Sequence, residues 1–158
     1  MSRRALEEPQ RAERLTRGPL SMLESFDLVR RVAEALVVAH QRGISHRDIK
    51  PSNLFLVGGE VHGIKVLDFG LAAGATYTRI TASGSWMGTP GYMSPEQARG
   101  GKLGPQTDVF ALGSVFFECL TGQPVFSRAS LVAILGQLVQ HAPPELRKHL
   151  PDAPASLE

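Results

Sequence analysis

The sequence of 158 residues has little cysteine, few aromatic residues and no long apolar run. Cys119 is the only cysteine, which excludes a disulfide framework and a zinc site built from several cysteines. No apolar segment approaches the ~20 residues of a membrane-spanning helix. The N-terminal MSRRALEEPQRAERL also lacks the apolar block of a signal peptide. These absences predict a soluble, cytoplasmic protein with no membrane partner.

An excess of charge of one sign is also missing. The chain has 17 Lys and Arg against 15 Asp and Glu, a net charge of +2. It contains no cluster of basic residues interleaved with aromatics, so we expect no nucleic-acid partner. Apolar residues make up 42% of the chain, which is enough to build a hydrophobic core rather than a disordered polymer.

Apolar periodicity predicts a mainly α-helical chain. Ser21 and Glu24 form an S-x-x-E capping box, and apolar residues then recur at helical spacing until Gly43. Residues 9–17 could form a short helix before it, and residues 1–5 are expected to be a disordered start.

Two further helices are predicted towards the C-terminus. Thr107 is expected to cap a buried helix over 108–121, which is apolar on almost every face and ends at Gly122. An amphipathic helix is expected over 129–140. The tail after it carries several prolines and is expected to be irregular.

The middle of the chain predicts one small β-hairpin and a long loop. Two short apolar runs, 54–57 and 64–67, are joined by the glycine-rich GGEVHG. Residues 70–104 have weak periodicity and are rich in Gly, Ser and Thr, so we expect a long loop there. The fold class is therefore mainly α with a small β-hairpin (α+β).

The residues with chemical potential flank this hairpin. Asp48 and Asp68 lie on predicted loops at its two sides, so that the hairpin can bring them together at one end. Asn53 adds a neutral oxygen ligand and Lys50 a cation, a set that suits Mg²⁺ and phosphate. Taken singly, each aspartate is more often a helix cap or a turn residue. Taken together, the four predict phosphoryl transfer.

Four motifs in order resemble those of the eukaryotic-like serine/threonine protein kinases found in bacteria. HRDIKPSN (46–53) resembles their catalytic loop, and the DFG that starts at Asp68 resembles their metal-binding loop. GTPGYMSPE resembles the end of the activation segment, 68–96, with serine in place of the usual alanine. DVFALG resembles the start of the central buried helix, which the resemblance places at 108–121.

The resemblance implies a role for each matching residue. Asp48 is implied to be the catalytic base, and Lys50 to steady the γ-phosphate of ATP. Asn53 and Asp68 are implied to hold Mg²⁺ on the ATP phosphates, and Phe55 to form the floor under adenine. The implied substrate is a protein that carries serine or threonine.

The resemblance also implies supporting and regulatory residues. Thr89 is expected to hydrogen-bond towards Asp48 and Lys50. Arg47 is expected to receive a phosphate carried by Thr78 or Thr81 in the activation segment.

Two more contacts are implied within the same fold. His46 and Phe69 are expected to stack as part of a hydrophobic spine. Asp108 is expected to tie down the backbone of the catalytic loop.

The resemblance covers residues 6–158, as part of a kinase domain: the C-terminal lobe only, truncated at both ends. No glycine-rich phosphate loop, strand-borne lysine or partnering glutamate helix precedes residue 46. A kinase small lobe, which can be separately encoded, is therefore an expected partner, and we expect doubtful activity from the chain in isolation. The alternatives are a truncated gene product and a catalytically silent kinase-fold interaction module.

Overall fold

The computed structural model describes residues 18–69, 90–127, 130–140 and 143–157. The regular elements in chain order are α1 (Met22–His40), β1 (Leu54–Leu56), β2 (Ile64–Val66), α2 (Pro95–Ala98), α3 (Pro105–Thr121) and α4 (Leu131–Gln140). The described residues are thus mostly helical with a single two-stranded sheet, which confirms the predicted mixture of elements. None of the described helices is both long and apolar enough to cross a bilayer.

Helix α1 begins at the predicted capping box. Ser21 Oγ accepts a hydrogen bond from the Glu24 amide at 3.2 Å, and the Glu24 carboxylate accepts one from the Ser21 amide at 2.9 Å. Residues Leu28, Val32 and Leu36 recur every four positions and form the buried stripe of the helix. These features confirm the helix, which ends at His40, three residues before the predicted glycine.

Helix α3 starts earlier than expected, and the prediction that Thr107 caps it is wrong. The helix begins at Pro105, with Gly104 in the N-cap position. Proline fixes the backbone φ angle that the first helical residue needs, which allows the earlier start. The predicted C-terminal end is confirmed, since Gly122 terminates the helix with a left-handed φ of 71°.

The hairpin forms as predicted, with three residues in each strand. β1 and β2 are antiparallel, and Leu54 pairs with Val66 while Leu56 pairs with Ile64. One more hydrogen bond, from the Leu67 amide to the Asn53 carbonyl at 2.9 Å, continues the pairing beyond the strands. The backbone of Asn53 therefore lies beside the residue that precedes Asp68.

The described part of the predicted long loop contains regular structure. A 3₁₀ turn covers Pro90–Tyr92, and α2 begins after two intervening residues, at Pro95. Ser94 and Gln97 form a second capping box, and Pro95 occupies the first helical position. The prediction of continuous loop is therefore wrong over these residues.

Some of the other predicted elements lie partly or wholly outside the described residues. The amphipathic helix predicted over 129–140 is observed as α4, Leu131–Gln140. The short helix over 9–17 and the disordered start over 1–5 lie outside the described residues.

The main hydrophobic core lies between α1, α3 and the hairpin. Leu28 and Val32 of α1, Val115 of α3 and Leu54 of β1 are all buried in it. Ile49, which follows Asp48, is only 2% exposed and belongs to the same cluster. Burying such a side chain contributes roughly 1.5–3 kcal/mol. The core therefore anchors the loop that carries the candidate catalytic residues.

Candidate functional site

The backbone of the loop before Asp48 is held by a buried carboxylate on α3. Asp108 accepts hydrogen bonds from the His46 amide at 2.8 Å and from the Arg47 amide at 2.6 Å. Asp108 is completely buried, and the hydrogen bonds from these two amides compensate its carboxylate for the loss of water. The expected anchoring of the loop by Asp108 is confirmed.

A third group reaches the same carboxylate from the end of α1. His40 Nε2 lies 2.7 Å from Asp108 Oδ2, across 68 positions of sequence. Sequence reasoning gave His40 no role and missed this contact. Local patterns carry no signal for a pair so far apart, although a histidine in the last turn of a helix is a typical electrostatic partner of its C-terminus.

Arg47 adopts a backbone conformation that is unusual for a residue with a side chain. Its φ angle is 66°, in the left-handed region. Its amide is fixed by Asp108, and its carbonyl accepts a hydrogen bond from Gln97 Nε2 at 2.8 Å. The residue before Asp48 is therefore held through both of its backbone polar groups.

Asp48, Lys50 and Asn53 are brought together as predicted by their spacing. Lys50 Nζ lies 2.9 Å from Asp48 Oδ2, and Asn53 Nδ2 donates to the same oxygen at 3.0 Å. Asn53 Nδ2 also donates to the Asp48 carbonyl at 2.7 Å. The side chain of Asp48 remains 40% exposed, so that a substrate group can approach it.

Asp68 lies at the same end of the hairpin as Asn53. The Leu67 amide donates to the Asn53 carbonyl, and the Leu67 carbonyl lies 2.7 Å from His46 Nε2. Asp68 itself is exposed and has a positive φ of 63°. Backbone strain of this kind is concentrated at functional sites, where the surrounding structure holds it in place.

Of the remaining predicted residues, some lie near the hairpin and others lie outside the described residues. The rings of His46 and Phe69 are in contact, with centroids 4.8 Å apart, but they meet edge to face at 63° rather than in a parallel stack. Phe55 lies in β1 opposite Lys65 and is half-buried. Thr78, Thr81 and Thr89 lie outside the described residues.

The segment around α2 is joined to α3 by two hydrogen bonds. Thr107 Oγ1 donates to Glu96 Oε1 at 2.7 Å, and the Tyr92 hydroxyl donates to Glu118. Burial raises the pKa of Glu96, but the hydrogen bond from Thr107 and further ones from the backbone and Ser94 outweigh it, so its pKa lies below the ordinary value. Burial and the Glu118 carboxylate raise the pKa of Tyr92, which keeps the hydroxyl protonated as a donor.

The site has too few protein ligands to hold a metal ion alone, but its ligands suit Mg²⁺ that is also bound by water and phosphate oxygens. In the parts of the chain that the structure describes, no group of three or more His, Cys, Asp or Glu side chains could hold a metal ion. Asn53 and Asp68 supply one amide oxygen and one carboxylate. Mg²⁺ is typically bound by one or two such groups together with water and phosphate oxygens, so these two residues fit it.

Comparison with known proteins finds similarity to one family over most of the chain. The model of the protein kinase domain family matches residues 5–151. The chain is 40% identical over 141 residues to serine/threonine-protein kinase PrkC of Bacillus subtilis, which covers 89% of this chain and 22% of that protein. It is also 40% identical over 136 residues to serine/threonine-protein kinase PknB of Mycobacterium leprae. This aligned region covers 85% of this chain and 22% of that protein. The chain thus spans about a fifth of the length of these relatives.

Proposed function

The chain belongs to the protein kinase domain family, and from that premise we propose that it carries the catalytic and metal-binding part of a serine/threonine protein kinase. The proposed reaction transfers the γ-phosphate of ATP to a serine or threonine hydroxyl of a protein substrate. The described helices and hairpin are assigned to the C-terminal lobe. A small lobe, on the same polypeptide or on another, completes the ATP site.

The arrangement around the Asp48 carboxylate is the observation that carries this proposal. Its Oδ2 atom is engaged by Lys50 Nζ at 2.9 Å and Asn53 Nδ2 at 3.0 Å. Both donors reach Oδ2, and among the described residues no hydrogen bond to Oδ1 is found, so we assign the acceptance of the substrate proton to Oδ1. The two donors fix the orientation of the carboxylate before the substrate arrives, which reduces the cost of positioning in the transition state.

The chemistry follows from these positions. The substrate hydroxyl oxygen forms a bond to the γ-phosphorus while the bond from that phosphorus to the bridging oxygen of ADP breaks. Asp48 Oδ1 takes the hydroxyl proton, and the Lys50 ammonium balances negative charge on the transferred group. When bound, Mg²⁺ neutralises charge on the ATP phosphates.

Two residues are assigned to hold that ion. Asn53 directs its Nδ2 atom at Asp48, which leaves its carbonyl oxygen as the atom that can face a cation. Asp68 is exposed at the same end of the hairpin, where its carboxylate is accessible. The fit is supported by the type of ligand and by the shared backbone pairing through Leu67.

The remaining assignments rest on the family resemblance. Phe55 is proposed to lie under adenine, and Thr89 to support Asp48 and Lys50. Arg47 is proposed to bind a phosphate on Thr78 or Thr81.

The test is phosphate transfer by this chain joined to a kinase small lobe. With Mg²⁺ and ATP, incorporation into a serine-containing protein substrate is expected, and Asp48→Asn should abolish it. Asp152→Asn changes an exposed aspartate near the C-terminus and serves as the matched control. Transfer that persists in Asp48→Asn would overturn the role of Asp48. Absence of transfer in the parent would favour the silent interaction module.

A further inference from the structure

The side chain of Gln97 connects two parts of the chain that are 50 residues apart. Its Nε2 atom donates to the Arg47 carbonyl at 2.8 Å, while its Oε1 atom accepts from the Ser94 amide at 2.9 Å. Gln97 is only 6% exposed. One buried amide therefore both closes the capping box of α2 and holds the backbone of the catalytic loop.

The carbonyl that Gln97 holds belongs to the peptide group that leads into Asp48. A peptide group is planar, so the Arg47 carbonyl and the Asp48 amide must move together. The Asp48 amide points to His46 Nδ1 at 3.3 Å. The bond from Gln97 therefore fixes the orientation of the peptide from which the Asp48 side chain extends.

The backbone of Arg47 needs such support. Its φ of 66° is uncommon for a residue with a Cβ atom, and such conformations persist only where neighbouring groups hold them. Asp108 holds the amide side of Arg47 at 2.6 Å, and Gln97 holds the carbonyl side. The two supports act on opposite ends of the same strained residue.

Helix α2 is itself attached firmly enough to act as a support. Thr107 Oγ1 donates to Glu96 at 2.7 Å, and Arg99 Nη2 donates to the Val139 carbonyl of α4 at 2.9 Å. Thr107 and Asp108 are consecutive residues of α3. One of them holds α2 and the other holds the catalytic loop, and Gln97 joins these two segments directly.

From this geometry we infer that Gln97 is a positioning residue for Asp48. Through its bond to the Arg47 carbonyl, Gln97 makes the position of the catalytic carboxylate depend on the position of α2. The inference rests on the proposed function for the role of Asp48. The bond from Gln97 to Arg47 can be tested independently of any phosphate transfer.

Three substitutions separate this bond from the capping of α2. In Gln97→Glu the carboxylate still accepts from the Ser94 amide but cannot, when ionised, donate to the Arg47 carbonyl. Gln97→Met removes both bonds at similar volume. Ser94→Ala removes the hydroxyl that caps the Gln97 amide at 3.3 Å but leaves the bond to Arg47, so it is the matched control.

Amide hydrogen exchange of the 158-residue chain, measured by NMR residue by residue, is the primary readout. We expect the Asp48 amide to exchange about tenfold faster in Gln97→Glu and Gln97→Met, the order of effect that loss of one buried hydrogen bond produces. It should stay within about twofold of the parent in Ser94→Ala. The Val32 amide in α1 reports global opening, and we expect the acceleration at Asp48 to exceed any change at Val32. If Gln97→Glu does not fold, the comparison of Gln97→Met with Ser94→Ala decides.

Two results would overturn the inference. One is a parental exchange rate at Asp48 in both Gln97 variants. The other is equal acceleration in Ser94→Ala, which would assign the effect to α2 as a whole.

Phosphate transfer by the chain joined to a small lobe gives a second readout. Loss of the Gln97 donor should lower kcat about tenfold, as expected for one lost hydrogen bond, and leave KM for Mg-ATP unchanged. A rise in KM with parental kcat would contradict the positioning role. If the parent transfers no phosphate, the proposed function fails, while the exchange experiment still decides the bond.

Discussion

Asp108 on α3 accepts a hydrogen bond from the His46 amide at 2.8 Å, across 62 positions of the chain. This contact joins a largely buried helix to the loop that carries the candidate base. It makes the geometry of the loop depend on the packing of α3 in the core. A change at Asp108 should therefore affect both the stability of the chain and the position of Asp48.

The first prediction concerns that carboxylate. Asp108→Asn replaces an acceptor oxygen by an NH₂ group that faces backbone donors, so buried amides lose their partner. We expect a loss of about 3 kcal/mol in the free energy of unfolding, the sum of two or three buried charge-assisted bonds weakened. Urea unfolding followed by circular dichroism measures it.

The matched control is the neighbouring residue on α3. Val109 is 65% exposed, so Val109→Ala should change the stability by no more than about 0.5 kcal/mol. Asp108→Asn with the same stability as Val109→Ala would show that the carboxylate contributes nothing beyond its place in the helix.

The second prediction concerns the chain by itself. The proposed function assigns part of the ATP site to a small lobe, and the 158-residue chain has no glycine-rich loop and no lysine before residue 46. We expect little or no phosphate incorporation into a generic basic substrate with Mg-ATP. Robust turnover that disappears in Asp48→Asn would show that these residues suffice for catalysis.

The third prediction concerns metal and nucleotide binding. The two proposed Mg²⁺ ligands, Asn53 and Asp68, both belong to this chain, so weak Mg²⁺-dependent ATP binding is expected. The Kd should be no tighter than about 1 mM, which corresponds to a binding free energy of about 4 kcal/mol. Isothermal titration calorimetry measures it with and without Mg²⁺. Asp68→Ala should remove the dependence on Mg²⁺, and the exposed Asp152→Ala should not. Equal binding by the parent and Asp68→Ala would exclude Asp68 from the site.

The fourth prediction concerns the pH dependence of stability through Glu96. Its pKa in the folded chain lies below the ordinary value of 4.5, because the hydrogen bonds from Thr107, the backbone and Ser94 outweigh burial, which raises it. A depressed folded-state pKa stabilises the chain fully above pH 4.5, and the contribution is lost as pH falls through the lowered pKa.

Glu96→Gln should remove this part of the acid sensitivity. Urea midpoints measured between neutral and acid pH should therefore fall less steeply in Glu96→Gln than in the parent. Thr107→Val, which removes one of the bonds and raises the pKa, should also reduce the slope. Parallel pH profiles for all three proteins would contradict the assignment.

Local sequence patterns predicted the elements that local physics determines. The capping box at Ser21 and the stop at Gly122 follow from side-chain and backbone preferences within a few residues, and both are observed. The same S-x-x-E/Q signature was present at Ser94 and Gln97, but the low apolar periodicity of the surrounding region favoured a loop. A helix of only four residues is too short to show an apolar repeat, so the capping box is the better signal for it.

The contacts between distant segments could not be predicted in the same way. The resemblance of the motifs suggested that Asp108 holds the catalytic loop, but it gave no partner for His40 and no role for Gln97. These contacts depend on how α1, α2 and α3 pack, and no local pattern encodes their relative placement. The site was therefore predictable where its residues belong to a motif, and not where they support it from elsewhere in the fold.

The last prediction concerns regulation through Arg47, in a kinase formed by joining this chain to a small lobe. The segment after Asp68 carries several hydroxyl residues, among them Thr78 and Thr81, which lie outside the described residues. A phosphate there adds about −1.5 to −2 charges. Arg47 precedes Asp48, and its guanidinium suits bidentate binding of phosphate.

We expect mass spectrometry of the active, joined protein to find phosphate on Thr78 or Thr81, and phosphatase treatment to lower its activity. Arg47→Ala should abolish the gain from phosphorylation and leave the basal activity of the dephosphorylated protein largely intact. Arg47→Lys keeps the charge but not the fork of donors, so it should recover only part of the gain. An unmodified segment would refute regulation at these threonines. A full response to phosphate in Arg47→Ala would make Arg47 a structural residue, whose backbone amide and carbonyl are hydrogen-bonded to Asp108 and Gln97.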